Sequence, residues 1–234
     1  MVSLLTNFLL GLAFICAAFF VYAAVKVAAS LRPTRGTRID PAENPRQALL
    51  VMDIQEDLTG STAHPRFGYK NTGPFIATVS RVIKAASAQG MVVVYIGHEC
   101  PDTLMCRVAR GGRLIKGGEG TRQDDRLLVA SSHYFPKERA DAFSNRDLEK
   151  FLAARRVGEV FIVGLDAAFC VYKTALGAVN RGFKTAIITD AVITLTKKTP
   201  AKLAATYRRR GIAPVDSAAF AGGVPASDSP GSGR

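Results

Sequence analysis

The fold class is indicated by the stretch ALLVMDIQ at residues 48–55, in which five apolar residues lead directly into Asp53. Short continuous apolar runs are typical of strands that are buried on both faces of a sheet. Residues 74–89 then show helical spacing of apolar side chains, which ends at Gly90, and a second apolar run covers residues 91–96. A strand, a helix and a strand in this order predict a βαβ unit with two parallel strands.

The same alternation returns in the second half of the chain and ends with a helix that has clear boundary signals. Thr199 is a suitable N-cap, Pro200 fits the first helical position, and Gly211 closes the helix. The elements predicted here are a helix at 145–156 with Ser144 as its N-cap, a strand at 160–164, a helix at 171–181, a strand at 185–189, the helix after Thr199 and a small strand at 212–215. We therefore predict a three-layer, Rossmann-like α/β fold with a mostly parallel central sheet, in which ligands bind at the carboxyl ends of the strands.

The N-terminal segment is apolar enough to be a membrane span. Residues 2–25 contain no charged side chain, and as a helix they would cross about 30 Å of hydrocarbon. A cleaved signal peptide is the alternative, but it would have a basic start and an apolar part of about 7–15 residues. We predict a transmembrane helix at residues 1–25. The basic residues lie after the span, so the positive-inside rule predicts a cytoplasmic catalytic domain.

The remaining organisation follows from composition. Residues 26–46 are basic and contain three prolines, which predicts a linker, and residues 221–234 are rich in Gly, Ser and Pro, which predicts a disordered tail. Residues 47–220 are left as one domain. The net charge of +12 is interpreted as membrane-flanking and solvated basic surface, because no nucleic-acid-binding motif is present. Four irregularly spaced cysteines predict free thiols and no disulfide framework.

Three residues near predicted strand ends suggest a catalytic device: Asp53, Lys137 and Cys170. Each alone has a plain structural interpretation, as a helix cap, a surface charge or a small buried side chain. Together, Lys137 would favour the thiolate, Asp53 would take the thiol proton, and the helix that begins near Cys170 would add a favourable dipole. We therefore expect the thiol pKa to lie below its ordinary value of about 8.5. Backbone N–H groups at this helix start would hold an oxyanion.

These motifs resemble those of the isochorismatase-like cysteine hydrolases, a family that includes nicotinamidase, N-carbamoylsarcosine amidohydrolase and biuret hydrolase. The resemblance covers about residues 47–215 and is carried by VMDIQ at 51–55, by Lys137 with Ala142 and Phe143, and by GLDAAFCV at 164–171. It implies that Asp53, Lys137 and Cys170 form the catalytic triad. It also implies a cis peptide around Asp166 and Ala167 that shapes an oxyanion hole together with Cys170.

The sequence departs from the family pattern at two places. Metal-dependent members carry an Asp-x-His pair after the second strand, whereas this chain has YIGHEC at 95–100, so we predict neither a metal nor another cofactor. A zinc site built from His98, Glu99, Cys100 and Cys106 is the alternative, but its spacing matches no common site. Ala167 and Ala168 stand where relatives often carry Thr and Asp, which changes any substrate contact made there.

The leading functional prediction is hydrolysis of a small amide, ureido or related C–N bond through a thioester on Cys170. One alternative is an isochorismatase-type vinyl ether hydrolase, which needs no cysteine, and another is a catalytically idle scaffold tethered to the membrane. Substrate contacts are predicted at Gln55, His98, Phe143 and Phe169, with Phe67 and Tyr69 as further loop candidates. We also expect a homo-oligomer.

Overall fold

The computed structural model describes residues 2–63 and 68–223, in two compact units that meet in the chain between Arg32 and Pro33. The first unit is a single helix, α1 (Val2–Ser30). Its segment Leu10–Ser30 has a mean hydropathy of 2.2 and is long and apolar enough to cross a membrane, although a signal sequence has the same properties. The helix continues past residue 25, so the first residues of the predicted linker are helical.

The second unit contains a six-stranded sheet in which every neighbouring pair of strands is parallel. Its strands are β1 (Arg46–Met52), β2 (Val92–His98), β3 (Tyr134–Lys137), β4 (Val157–Leu165), β5 (Lys184–Ile193) and β6 (Ala213–Val215). Their spatial order is β3-β2-β1-β4-β5-β6. The prediction of an α/β fold with a parallel central sheet is confirmed.

Helices cover both faces of this sheet. They are α2 (Thr72–Ala88), α3 (Leu104–Arg110), α4 (Arg146–Ala154), α5 (Cys170–Asn180), α6 (Pro200–Arg208) and α7 (Ser217–Ala221), with short 3₁₀ turns at Glu119–Thr121 and Ala142–Ser144. Successive residues of β1 point to opposite faces: Leu49 packs with α2 and α7, whereas Leu50 packs with α4, α5 and α6. Both side chains have no exposed surface, which explains the continuous apolar run that predicted the strand.

Several boundaries differ from the predicted ones. Asn145 is the N-cap of α4 and accepts a 2.9 Å hydrogen bond from the N–H of Asp147, so the prediction of Ser144 as the cap is wrong. The Ser144 hydroxyl instead donates to the Asp141 carbonyl at 2.7 Å. Thr199 and Pro200 are confirmed as the start of α6. Residue 221 belongs to α7, and residues 224–234 of the predicted tail lie outside the described residues.

Candidate active site

Four polar side chains meet at the carboxyl edge of the sheet because four neighbouring strands end there. Asp53 follows β1, His98 ends β2, Lys137 ends β3, and Cys170 begins α5 after β4. Strand β1 lies between β2 and β4, and His98 pairs in register with Lys137. The structure therefore brings together the three residues of the predicted triad.

The buried ammonium of Lys137 connects the other two members of the triad. Its Nζ lies 2.9 Å from Oδ2 of Asp53 and 3.4 Å from Sγ of Cys170. The side chains of Lys137 and Asp53 are 0% and 3% exposed, so this ion pair is shielded from water. Oδ1 of Asp53 is also buried and has no hydrogen-bond partner among the described residues, which leaves it able to accept a proton.

The pKa values of the triad differ from the expectation of a low-pKa thiol, which is wrong. Burial raises the pKa of the Cys170 thiol to about 12, with Lys137 acting in the opposite direction and Asp53 raising it further. Burial also raises the pKa of Asp53. Burial would lower the pKa of Lys137, but Asp53 and the thiol outweigh it and raise the pKa. Lys137 therefore stays protonated, and burial favours the neutral thiol form of Cys170.

The backbone at the end of β1 turns sharply to place Asp53. This residue has a φ of +55°, in the left-handed region that Asp tolerates better than most residues, and its N–H donates to the Ile96 carbonyl at 2.8 Å. On the neighbouring strand, Gly164 has a φ of +112° and lies directly against the Met52 carbonyl, where any Cβ would clash. Glycine at 164 is thus required for β1 and β4 to approach this closely before the site.

The main chain before Cys170 leaves two N–H groups without partners. The cis peptide joins Leu165 to Asp166, directly before the segment in which it was predicted. The N–H of Ala167 donates to the Ile193 carbonyl at 2.9 Å, so it is not available to an oxyanion as predicted. The N–H groups of Asp166 and Cys170, by contrast, form no hydrogen bond with any described residue. Two donors therefore remain beside the predicted nucleophile, Cys170.

His98 lies between two cations. Its Nδ1 is 3.4 Å from Nζ of Lys137, and its Nε2 is 2.8 Å from a guanidinium nitrogen of Arg110. Burial, together with these two positive charges, holds the pKa of His98 well below its usual range, so the ring is neutral. In the described part of the chain, no group of three or more His, Cys, Asp or Glu side chains is placed to hold a metal ion. An imidazole that faces a cation on each side does not fit the first coordination shell of a divalent metal.

The other predicted substrate contacts occupy different positions. Gln55 is 1% exposed, and its amide forms hydrogen bonds of 2.7–3.2 Å with the main chain of His98 and Thr121, so it supports the strand end at His98. Phe143 is also 1% exposed and packs against Phe183, with ring centroids 5.6 Å apart. Both stay predictions as substrate contacts, because Asp53 and Lys137 of the predicted triad are almost as buried, at 2% each.

Phe169 and Tyr69 are more accessible candidate contacts. Phe169, next to Cys170, is 43% exposed. The Tyr69 hydroxyl donates to Oδ2 of Asp166 at 3.3 Å, and its pKa is raised by burial, then by Asp166, with smaller contributions from Cys170 and Asp53. Phe67 lies outside the described residues. Arg110 was missed, because it lies on α3, a helix of seven residues with no buried side chain and hence no apolar pattern to reveal it.

Comparisons with known proteins agree with this geometry. The isochorismatase domain model matches residues 47–219. N-carbamoylsarcosine amidase of an Arthrobacter species is 26% identical over 184 residues, which cover 72% of this chain and 67% of that protein. An uncharacterized isochorismatase family protein of Bacillus subtilis, PncA, is 33% identical over 92 residues, which cover 36% of this chain and only half (50%) of that relative.

Solved structures show the same fold. The crystal structure of N-carbamoylsarcosine amidase from Thermoplasma acidophilum superposes with a TM-score of 0.62 and 25% sequence identity. The alignment covers 74% of this chain and 96% of that chain. The family match begins only at residue 47, so α1 lies outside it.

Proposed function

Because this chain belongs to the isochorismatase family of hydrolases, we propose that it hydrolyses a small amide, ureido or related C–N bond with Cys170 as the nucleophile. The observation that carries the proposal is the position of the Lys137 ammonium, 2.9 Å from the Asp53 carboxylate and 3.4 Å from the Cys170 sulfur. The similarity to N-carbamoylsarcosine amidase, whose name describes cleavage of a C–N bond, favours this substrate class.

In the first half of the reaction, Asp53 takes the thiol proton while the sulfur attacks the substrate carbonyl carbon. The raised pKa of Asp53 suits this transfer because it makes the carboxylate a stronger base, and the Lys137 ammonium stabilises the thiolate as it forms. The unpartnered N–H groups of Asp166 and Cys170 would stabilise the oxyanion of the tetrahedral intermediate. When the C–N bond breaks, Asp53 returns its proton to the leaving nitrogen, and an acyl thioester remains on Cys170.

In the second half, Asp53 takes a proton from water as the water oxygen attacks the thioester carbonyl. The second tetrahedral intermediate collapses, the C–S bond breaks, and the sulfur recovers its proton from Asp53. Lys137 remains protonated throughout and balances whichever of Asp53 and Cys170 carries the negative charge. The neutral ring of His98 adds no further charge beside it.

The proposal extends to localisation. We propose that α1 is an uncleaved single-pass anchor, that the hydrolase domain faces the cytoplasm, and that the protein forms a homo-oligomer. The apolar segment Leu10–Ser30 and the basic residues that follow it in the sequence support the first two statements. A reporter fused after Arg234 that is active only in an exported compartment would overturn the orientation.

The experiment that tests the chemistry is a screen of small amides and ureides with ammonia detection, followed by variants assayed on the best substrate. Cys170→Ala should lower turnover by several orders of magnitude, because no other group can form the thioester. The matched control is Cys16→Ala, which replaces an exposed cysteine on α1 and should retain full activity. Mass spectrometry of the quenched reaction should find the acyl group on Cys170.

Comparing the single variants with the double variant distinguishes a loss of catalysis from a loss of the fold. Asp53→Asn should be nearly inactive, and Asp53→Asn with Cys170→Ala should be scarcely worse than either change alone, because the two residues act as one unit. A correctly folded Cys170→Ala protein that keeps a substantial fraction of wild-type hydrolysis would refute the mechanism.

A further inference from the structure

A cavity of about 980 Å³, lined by none of the triad residues, lies beside the start of α4 and the end of α5. One wall is formed by residues 34–39, a segment that we call the strap. Basic side chains dominate the described lining: its charged residues are Arg35, Arg139, Arg146, Lys150, Arg181 and Glu149. Five cations therefore surround the cavity, against one carboxylate. None of these residues takes part in the proposed hydrolysis.

The strap is fixed to the domain by a buried network. The N–H and hydroxyl of Thr34 each donate to Oδ2 of Asp141 at 2.6 Å, and Arg181 donates to the Thr34 hydroxyl at 3.0 Å. Asp141 and Arg181 are 0% and 2% exposed. Gly177 permits this arrangement, because a Cβ there would meet the Asp141 carboxylate. The prediction of a plain linker over residues 26–46 therefore does not describe residues 34–39, which are docked, and the position of Arg35 follows from that docking.

The carboxylate of Glu149, which lines the cavity, already has a partner at each oxygen. Oε2 of Glu149 pairs with Nε of Arg181 at 3.0 Å, and Oε1 accepts the N–H of Thr37 at 3.0 Å. The guanidinium groups of Arg35 and Arg146 form no hydrogen bond or ion pair with any described residue. Two cations on opposite elements, the strap and α4, thus face the same cavity without a counter-charge from the chain.

We propose that this cavity binds a phosphate-bearing anion, held by Arg35 and Arg146. Arginine donates paired N–H groups that match phosphate oxygens, and its charge persists at every physiological pH. The headgroup of an anionic phospholipid is the source favoured by the sequence, because Arg35 is only five residues beyond Ser30, the last residue of α1. This choice of source depends on the proposed membrane anchor, whereas neither the cavity nor its charge depends on the proposed hydrolysis.

The test uses the full chain, solubilised in a neutral detergent, with bound lipid counted by native mass spectrometry. The probes are phosphatidylglycerol, phosphatidylcholine and the soluble compound glycerol 3-phosphate. The variant Arg35→Gln with Arg146→Gln removes the two free guanidiniums and leaves the buried Thr34 network intact. The matched control, Arg208→Gln with Arg210→Gln, removes the same charge from two exposed positions at the C-terminal end of α6.

We expect wild type and the control to bind one phosphatidylglycerol in preference to phosphatidylcholine, and the cavity variant to bind it about tenfold more weakly or worse. If wild type and the control bind glycerol 3-phosphate and the cavity variant does not, the cavity is a phosphate site whose ligand is a soluble compound. The proposal is overturned if wild type binds neither phosphatidylglycerol nor glycerol 3-phosphate more tightly than it binds phosphatidylcholine. It is also overturned if the cavity variant and the control lose binding equally. Hydrolysis assays of the same variants report separately on the triad.

Discussion

Replacing Lys137 with methionine removes the charge that holds the triad together. The ammonium lies 2.9 Å from the Asp53 carboxylate, and both groups are buried. Two unit charges at that separation interact by about 6 kcal/mol at an effective dielectric near 20. Local relaxation reduces this energy, but Lys137 acts to lower the pKa of Asp53, so its loss should raise that pKa.

The consequence appears in the pH dependence of kcat/KM. Asp53 must be deprotonated to accept the thiol proton, so the acid limb of the profile should move to higher pH when Lys137 is lost. A loss of about 3 kcal/mol, half of the unrelaxed interaction, lowers kcat/KM by about 100-fold at any pH below both limbs. Lys84→Met is the matched control, since Lys84 is exposed on α2 and its replacement should leave the limb unchanged. A folded Lys137→Met enzyme with the wild-type limb and activity within about tenfold would refute this account of the triad.

Three further predictions concern the surroundings of the site. Chelators should leave hydrolysis unchanged, since His98 faces cations on both ring nitrogens, and activity lost to a chelator and restored by zinc would contradict this. Gln55→Leu should lower the free energy of unfolding by about 1–3 kcal/mol in urea titrations, because buried carbonyl groups of the main chain lose their donor. Arg181→Ala should lower Tm by about 10 °C, because it leaves Glu149 without its buried partner. The control Arg208→Ala, at an exposed position on α6, should change Tm by little. Equal effects of the two changes on Tm would argue against the buried network.

Some features of the site could be predicted from local sequence because local physics decides them. The apolar run before Asp53 has the length and composition of a strand buried on both faces, and the run before Cys170 repeats that pattern. Parallel strands end at a common edge, so the meeting of Asp53 and Cys170 follows from recognising two such strands. Lys137 was placed by its motif alone, because β3 has four residues and too short a pattern to be recognised as a strand.

Only the tertiary structure decided the electrostatics of the site and the path of the chain before the domain. The pKa of Cys170 is raised because burial outweighs the nearby ammonium, and burial results from packing contributed by several elements at once. Arg110 reaches His98 from a helix with no buried side chain. Thr34 donates a hydrogen bond to Asp141, which is 107 residues away in the sequence. No local sequence pattern encodes a hydrogen bond between polar groups so far apart. The sequence thus determined which residues are candidates for the chemistry, whereas long-range packing determined their electrostatic surroundings and made part of a basic linker the wall of a cavity.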